Sequence, residues 1–188
     1  MTSRSIVLAG ALLFFARSAA AQQSTDAVTL KITEESSSYV LTVPVSHLVM
    51  KIPKGDLVNK PGPRPGPGDS PRYFKFESQS ALIISGWFES ADGFKDIESF
   101  WRNETAAWKH QGLPKPKDVS FVHLGTWNAV LYDMATPIAK NTHIRAHWVQ
   151  AGTWIDIHLS LTGDEPVEAL RQKLRDVLQS ISVTEKAS

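Results

Sequence analysis

The sequence predicts an α+β protein in which an antiparallel β-sheet packs between α-helices, an α/β/α sandwich. Three observations lead there. Short runs alternate apolar and polar residues, one strand is apolar on both faces, and two segments carry a single apolar stripe at helical spacing.

The first element is set apart from the fold. Arg4 gives a short basic start, Ile6 to Ala16 is almost unbroken apolar sequence, and Ala19 and Ala21 supply the small residues of a cleavage site before Gln22. This is the pattern of a secretory signal peptide over residues 1–21, too short to span a bilayer. The expected mature chain, 22–188, forms one domain of 167 residues with no integral membrane segment.

"AVTLKIT" (27–33) alternates as a half-buried strand does, and "SYVLTVPVSHLVMKIP" (38–53) continues in the same style, with Pro44 and Pro53 marking breaks or edges. Residues 54–72 hold five prolines and little apolar surface, which predicts an extended Pro/Gly-rich loop. "YFKFES" (73–78) and "ALIISGWFE" (81–89) follow as strands. In the second, Ala81, Ile83 and Trp87 lie on one side and Leu82, Ile84 and Phe88 on the other. A strand apolar on both faces is expected inside a sheet with helices above and below.

Residues 92–112 read as a helix, with Asp92 able to cap it, Phe94, Ile97, Trp101 and Trp108 along one stripe, and Gly112 at its end. The glycosylation-like "NET" at 103–105 falls inside this helix and is read as chance. Four strands follow at 118–124, 126–134, 142–149 and 153–162, the last two joined by a tight turn at Ala151-Gly152. A closing helix over 165–182 sets Val167, Leu170, Leu174, Val177 and Ile181 on one face, with Pro166 in its first turn.

Composition narrows the function classes. The full chain has 20 basic and 19 acidic residues; losing Arg4 and Arg17 leaves 18 against 19, a net charge of −1. That balance gives no electrostatic basis for binding nucleic acid. With no cysteine, the fold has no disulfide framework and no thiol chemistry. G-x-S-x-G, H-E-x-x-H, Walker A and G-x-G-x-x-G are all missing from the sequence, so no catalytic residue is assigned.

One stretch does look chemical. "HIRAHWVQAGTWIDIH" (143–158) holds three of the six histidines, an arginine and an aspartate. A two-residue turn at Ala151-Gly152 sets His147 opposite Asp156, Arg145 opposite His158, His143 opposite Ser160 and Val149 opposite Trp154, all on one face. Three readings follow. His147, Asp156 and His158 are close enough to hold zinc, iron or copper, but the fixed charge of Arg145 opposes it. His143 and His147 are roughly 13 Å apart along one strand and do not share an ion. A His147–Asp156 pair could act as an acid–base dyad, although no nucleophile accompanies it. The third reading is a wet outer face of an edge hairpin, with His143, Arg145, His147, Trp154, Asp156 and His158 as anchors of a recognition surface. His47, His110 and His123 are scattered and read as ordinary.

The segments "ALIISGWFESADGF", "GTWNAVLYDM" and "GTWIDIHLSLTG…LRQKLRDVLQSI" carry a resemblance. Over residues 27–183 the element order resembles the fold family of the photosystem II extrinsic protein PsbP, shared with a Ran-binding import factor and many exported bacterial proteins. The resemblance implies an antiparallel sheet between helices and a role in binding or assembly. It assigns no metal ligands here, and the Pro-rich loop is longer than the family leads one to expect.

The expectation is therefore a secreted or periplasmic, non-enzymatic binding or accessory protein with no resident cofactor, whose partner is a protein or a small molecule. The alternative is a metal-binding or hydrolytic protein that uses the polar face of hairpin 142–162, with zinc or copper at His147, Asp156 and His158.

Overall fold

The computed structural model describes residues 30–43, 46–60, 72–135 and 140–185. The expected signal peptide, most of the Pro/Gly-rich loop (61–71) and the connection at 136–139 lie outside the described residues.

Chain order is β1 (Lys31–Glu34), β2 (Ser38–Val43), β3 (Leu48–Pro53), β4 (Val58–Asn59), β5 (Tyr73–Glu77), β6 (Leu82–Ser90), a 3-10 turn at Ala91–Gly93, then α1 (Ile97–His110). It continues through β7 (Lys117–Leu124), β8 (Trp127–Ala135), β9 (Lys140–Gln150), β10 (Thr153–Gly163), α2 (Val167–Ser180) and β11 (Ser182–Glu185). Every pairing is antiparallel. The strands form two sheets, one ordered β1-β2-β3-β11 and one ordered β4-β5-β6-β10-β9-β8-β7.

The predicted α/β/α sandwich does not form. The described residues are mostly strand, with two α-helices, and the large sheet packs on a second sheet. The alternation in β2 and β3 explains why. Tyr39, Leu41 and Val43 pair across from Ile52, Met50 and Leu48, so all six face one way and are buried. An apolar face that wide needs a flat apolar partner. The large sheet supplies it with Phe74 and Phe76 of β5, Ile84 and Phe88 of β6, and the odd-numbered residues Ile155 to Leu161 of β10. Tyr39 packs on Phe76 with ring centroids 4.5 Å apart, and its hydroxyl donates to the Leu57 carbonyl. Lys54–Lys60, expected as loop, thus holds a buried Leu57 and the short strand β4.

Beside the small sheet, α2 covers the same face of the large one over β9, β10 and β7, burying Leu170, Leu174 and Leu178. The chain then turns at Ile181 into β11, which pairs with β3 and ties α2 to the small sheet. The sequence predicts a helix to residue 182 and no strand after it, so β11 is an element that it does not foresee.

The two-faced strand β6 is also covered differently from expectation. Its inner side chains Ile84 and Phe88 are buried beneath the small sheet, whereas Ile83 and Trp87 on the other face stay half-exposed. Gly86 sits between them where nothing larger fits: a Cβ there would lie 2.3 Å from the Asp156 carbonyl oxygen and 2.8 Å from the Phe74 ring.

Among the described residues that outer face is covered by α1, which packs over β8 through Trp101, Val130 and Tyr132, and by Phe94 ahead of it. The cap of α1 is Asp96 and not Asp92: its carboxylate accepts from the Ser99 N–H at 2.6 Å. Helix formation is delayed because Phe94 is held in extended conformation and stacks on Trp154 and His147 of the sheet.

Candidate functional site

The hairpin forms in the predicted register. Ala151 and Gly152 both take positive φ, 47° and 68°, as a two-residue type I′ turn requires. His147 pairs with Asp156, Arg145 with His158, His143 with Ser160 and Val149 with Trp154. All six anchor residues, His143, Arg145, His147, Trp154, Asp156 and His158, therefore share one face.

The face is not wet, and the hairpin is not at an edge. β10 is flanked by β6 and β9 by β8, so both strands lie inside the seven-stranded sheet. His147 and Asp156 are 0% exposed, Arg145, Trp154 and His143 are buried, and His158 is half-buried. Burying a charged pair is costly unless each charge meets a partner, and here the two charges meet each other.

Arg145 and Asp156 form the centre. The guanidinium donates through Nε and Nη2 to the two carboxylate oxygens, at 2.5 and 2.7 Å, a bidentate fork. Its Nη1 lies 3.9 Å from Glu104 of α1, a carboxylate that also accepts from Trp108 Nε1. The guanidinium stands over Trp87 at 4.5 Å and Phe100 at 5.2 Å, so its faces rest on aromatic rings. Burial works against the charged form, but Asp156 and then Glu104 outweigh it, and Arg145 is held more firmly protonated than usual.

His147 lies to one side. Its Nδ1 accepts from Trp154 Nε1 at 3.0 Å, which leaves the proton of the neutral ring on Nε2, a buried atom without a partner. Phe94 and Phe100 close over the ring, with centroids at 5.2 and 4.3 Å. Burial pushes its pKa down to about 4, against the opposing pull of Asp156, so the ring is neutral at pH 7.

On the other side His143, His158 and Tyr132 stack with their planes within 8° of parallel. His143 Nδ1 meets His158 Nε2 at 3.0 Å, and the Tyr132 hydroxyl lies 3.1 Å from that same Nε2. Burial pushes His143 down to about 4 and His158 well below its ordinary range, where His143 and Arg145 lower it further. Burial also pushes the Tyr132 phenol up, so it keeps its proton.

This arrangement does not assemble the predicted metal trio. Both Asp156 oxygens are taken by Arg145, and His147 and His158 belong to clusters on opposite sides of that guanidinium. Among the described residues no group of three His, Asp or Glu side chains is placed to hold an ion. The acid–base dyad fails for a related reason. Asp156 Oδ1 is 3.8 Å from His147 Nδ1, and that nitrogen already accepts from Trp154. The residues that sequence reasoning missed are Trp87, Phe100, Glu104 and Tyr132, which come from three other elements and complete the network.

A second feature lies on the opposite face. Between α2 and the ends of β6 and β10 opens a cleft of about 390 Å³. Its floor is Leu82, Leu161, Leu170, Leu174 and Val177, and Glu165, Lys173 and Asp176 stand on its rim. Lys173 and Glu165 pair there at 2.6 Å in largely exposed positions.

No family model matches the chain, and no curated protein matches it. A solved structure from Bacteroides thetaiotaomicron VPI-5482 is similar over 76% of this chain, with a TM-score of 0.44 and 12% identity. The match covers 47% of that protein, so this chain spans about half its length. The resemblance to the PsbP family implied a sheet between helices; the packing of one sheet on another departs from that implication. Among the described residues, no helix is long and apolar enough to cross a membrane.

Proposed function

We propose that the protein is a secreted or periplasmic, non-enzymatic binding or accessory protein that takes a small amphipathic ligand in the cleft beside α2. The observation that carries this reading is the cleft itself: a concave leucine and valine floor under a charged rim. At about 390 Å³ it falls within the range typical of small-molecule sites. A short aliphatic chain matches the floor. A carboxylate head matches Lys173, whose exposed bond to Glu165 is worth at most about 1 kcal/mol and exchanges readily. By contrast, the polar residues of the hairpin are engaged with one another and serve to seat α1.

Calorimetric titration with octanoate tests the reading. Saturable binding is expected in the wild type, and its loss in Val177→Trp, where a half-buried floor residue grows to fill the cleft. Equal heats from wild type and variant, or none from the wild type, would refute it.

A further inference from the structure

The three charges on the rim of the cleft beside α2 differ in how they are matched. Glu165 precedes α2, Lys173 and Asp176 lie three residues apart on it, and all three line the cleft. Lys173 and Glu165 bind each other at 2.6 Å. Asp176 has one oxygen on Gln172 Nε2 at 2.8 Å, and among the described residues no cation pairs with it. The other charges of α2 are matched away from the cleft, Arg171 with Asp133 at 2.8 Å and Arg175 with Glu168 at 2.7 Å. Lys140 and Asp164 stand next to the rim without lining it, one charge of each sign.

This rim discriminates between head groups. Glu165 and Asp176 against Lys173 leave it at −1. A lone carboxylate that enters on Lys173 displaces Glu165 and takes the rim to −2, with three carboxylates around one ammonium, and crowding like charges opposes binding. A head that brings an ammonium with its carboxylate holds the rim at −1 and offers a cation to Asp176 and to the displaced Glu165. Residues three apart on a helix hold their Cβ atoms roughly 5–6 Å apart, so two charges borne by one carbon atom reach Lys173 and Asp176 together. The floor of Leu82, Leu161, Leu170, Leu174 and Val177 then receives what that carbon also bears, an aliphatic side chain.

We infer that the ligand of this cleft, given that the cleft holds one as proposed, is an aliphatic α-amino acid: its carboxylate binds Lys173 and its ammonium binds Asp176.

Octanoate, 2-aminooctanoate and octylamine carry the same length of carbon chain and differ in head group, so calorimetric titration of the full protein with each isolates the head. At pH 7 and low salt, 2-aminooctanoate is expected to bind about two- to fivefold more tightly than octanoate, the gain of one exposed ion pair. The gain should shrink as salt is raised. Octylamine, which offers Lys173 no anion, should also bind less tightly than 2-aminooctanoate. Asp176→Asn keeps the shape of an exposed side chain and its acceptor for Gln172. It should weaken 2-aminooctanoate and leave octanoate unchanged or tighter, a crossing that a general disturbance of α2 does not produce. Octanoate or octylamine binding as tightly as 2-aminooctanoate would overturn the inference, and so would an undiminished preference in Asp176→Asn. In those cases octanoate binding still upholds the cleft as a ligand site. Binding of none of the three would overturn both.

Discussion

Replacing Asp156 by Leu should destabilise the protein by about 3 kcal/mol, and the reasoning rests on where the charge goes. Asp156 is fully buried and both of its oxygens bind Arg145, which is itself buried. Removing one partner of a buried pair costs roughly 3–5 kcal/mol, because the other charge stays behind unpaired. Glu104, 3.9 Å from Nη1, relieves part of that cost, which sets the expectation at the lower end. For a domain of this length each kcal/mol moves the melting temperature by roughly 2–4 °C, so a drop of about 6–12 °C is expected. Arg145→Met alone should also destabilise, since it leaves the Asp156 carboxyl without its donors. The double variant should not: with both charges gone and aliphatic volume in their place, it should return to within about 1 kcal/mol of wild type or exceed it. Urea unfolding followed by tryptophan fluorescence measures all four corners of the cycle. If the double variant loses as much as the two single ones together, Arg145 and Asp156 act independently, and the network as described is wrong.

Two further outcomes follow from the same face of the sheet. Burial holds His143 and His147 at about 4 in the folded protein, below the ordinary value of 6.5. The unfolded chain therefore binds more protons between those values, so their contribution is fully present above pH 6.5 and is lost as pH falls toward 4. The urea midpoint should fall across that window; a midpoint that held or rose on acidification would contradict the buried neutral histidines. Gly86→Ala should cost roughly 1–3 kcal/mol or more, because its Cβ would sit 2.3 Å from the Asp156 carbonyl oxygen and force β6 and β10 apart. A thermal melt that does not move would show that the strands yield without cost.

The sequence was most informative where short-range rules apply. Ala151-Gly152 between two alternating runs specified the turn, the turn set the register, and the register set which side chains share a face, down to His147 against Asp156. Val167 to Ile181 likewise marked α2 and its buried side. The cap of α1 was misplaced, because Asp92 and Asp96 are both acceptable locally. What selects Asp96 is Phe94, drawn onto Trp154 and His147 some fifty to sixty residues further along the chain.

What the sequence by itself determined is thus most of the strands, the two helices and which side chains of each share a face. What only the tertiary structure decided is what covers each side. Period-two alternation states that the two faces of a strand differ; it does not say whether the apolar one meets a helix or another sheet, since leucines and valines serve either. For β2 and β3 the partner was the large sheet, and β11 completed the small one with four residues, too few to be told from the end of α2. The polar face of β9 and β10 read as solvated because burying an arginine is costly when it is considered alone. Asp156 across the strand, Glu104 on α1 and the rings of Trp87 and Phe100 remove that cost, and only the fold brings them within reach of Arg145.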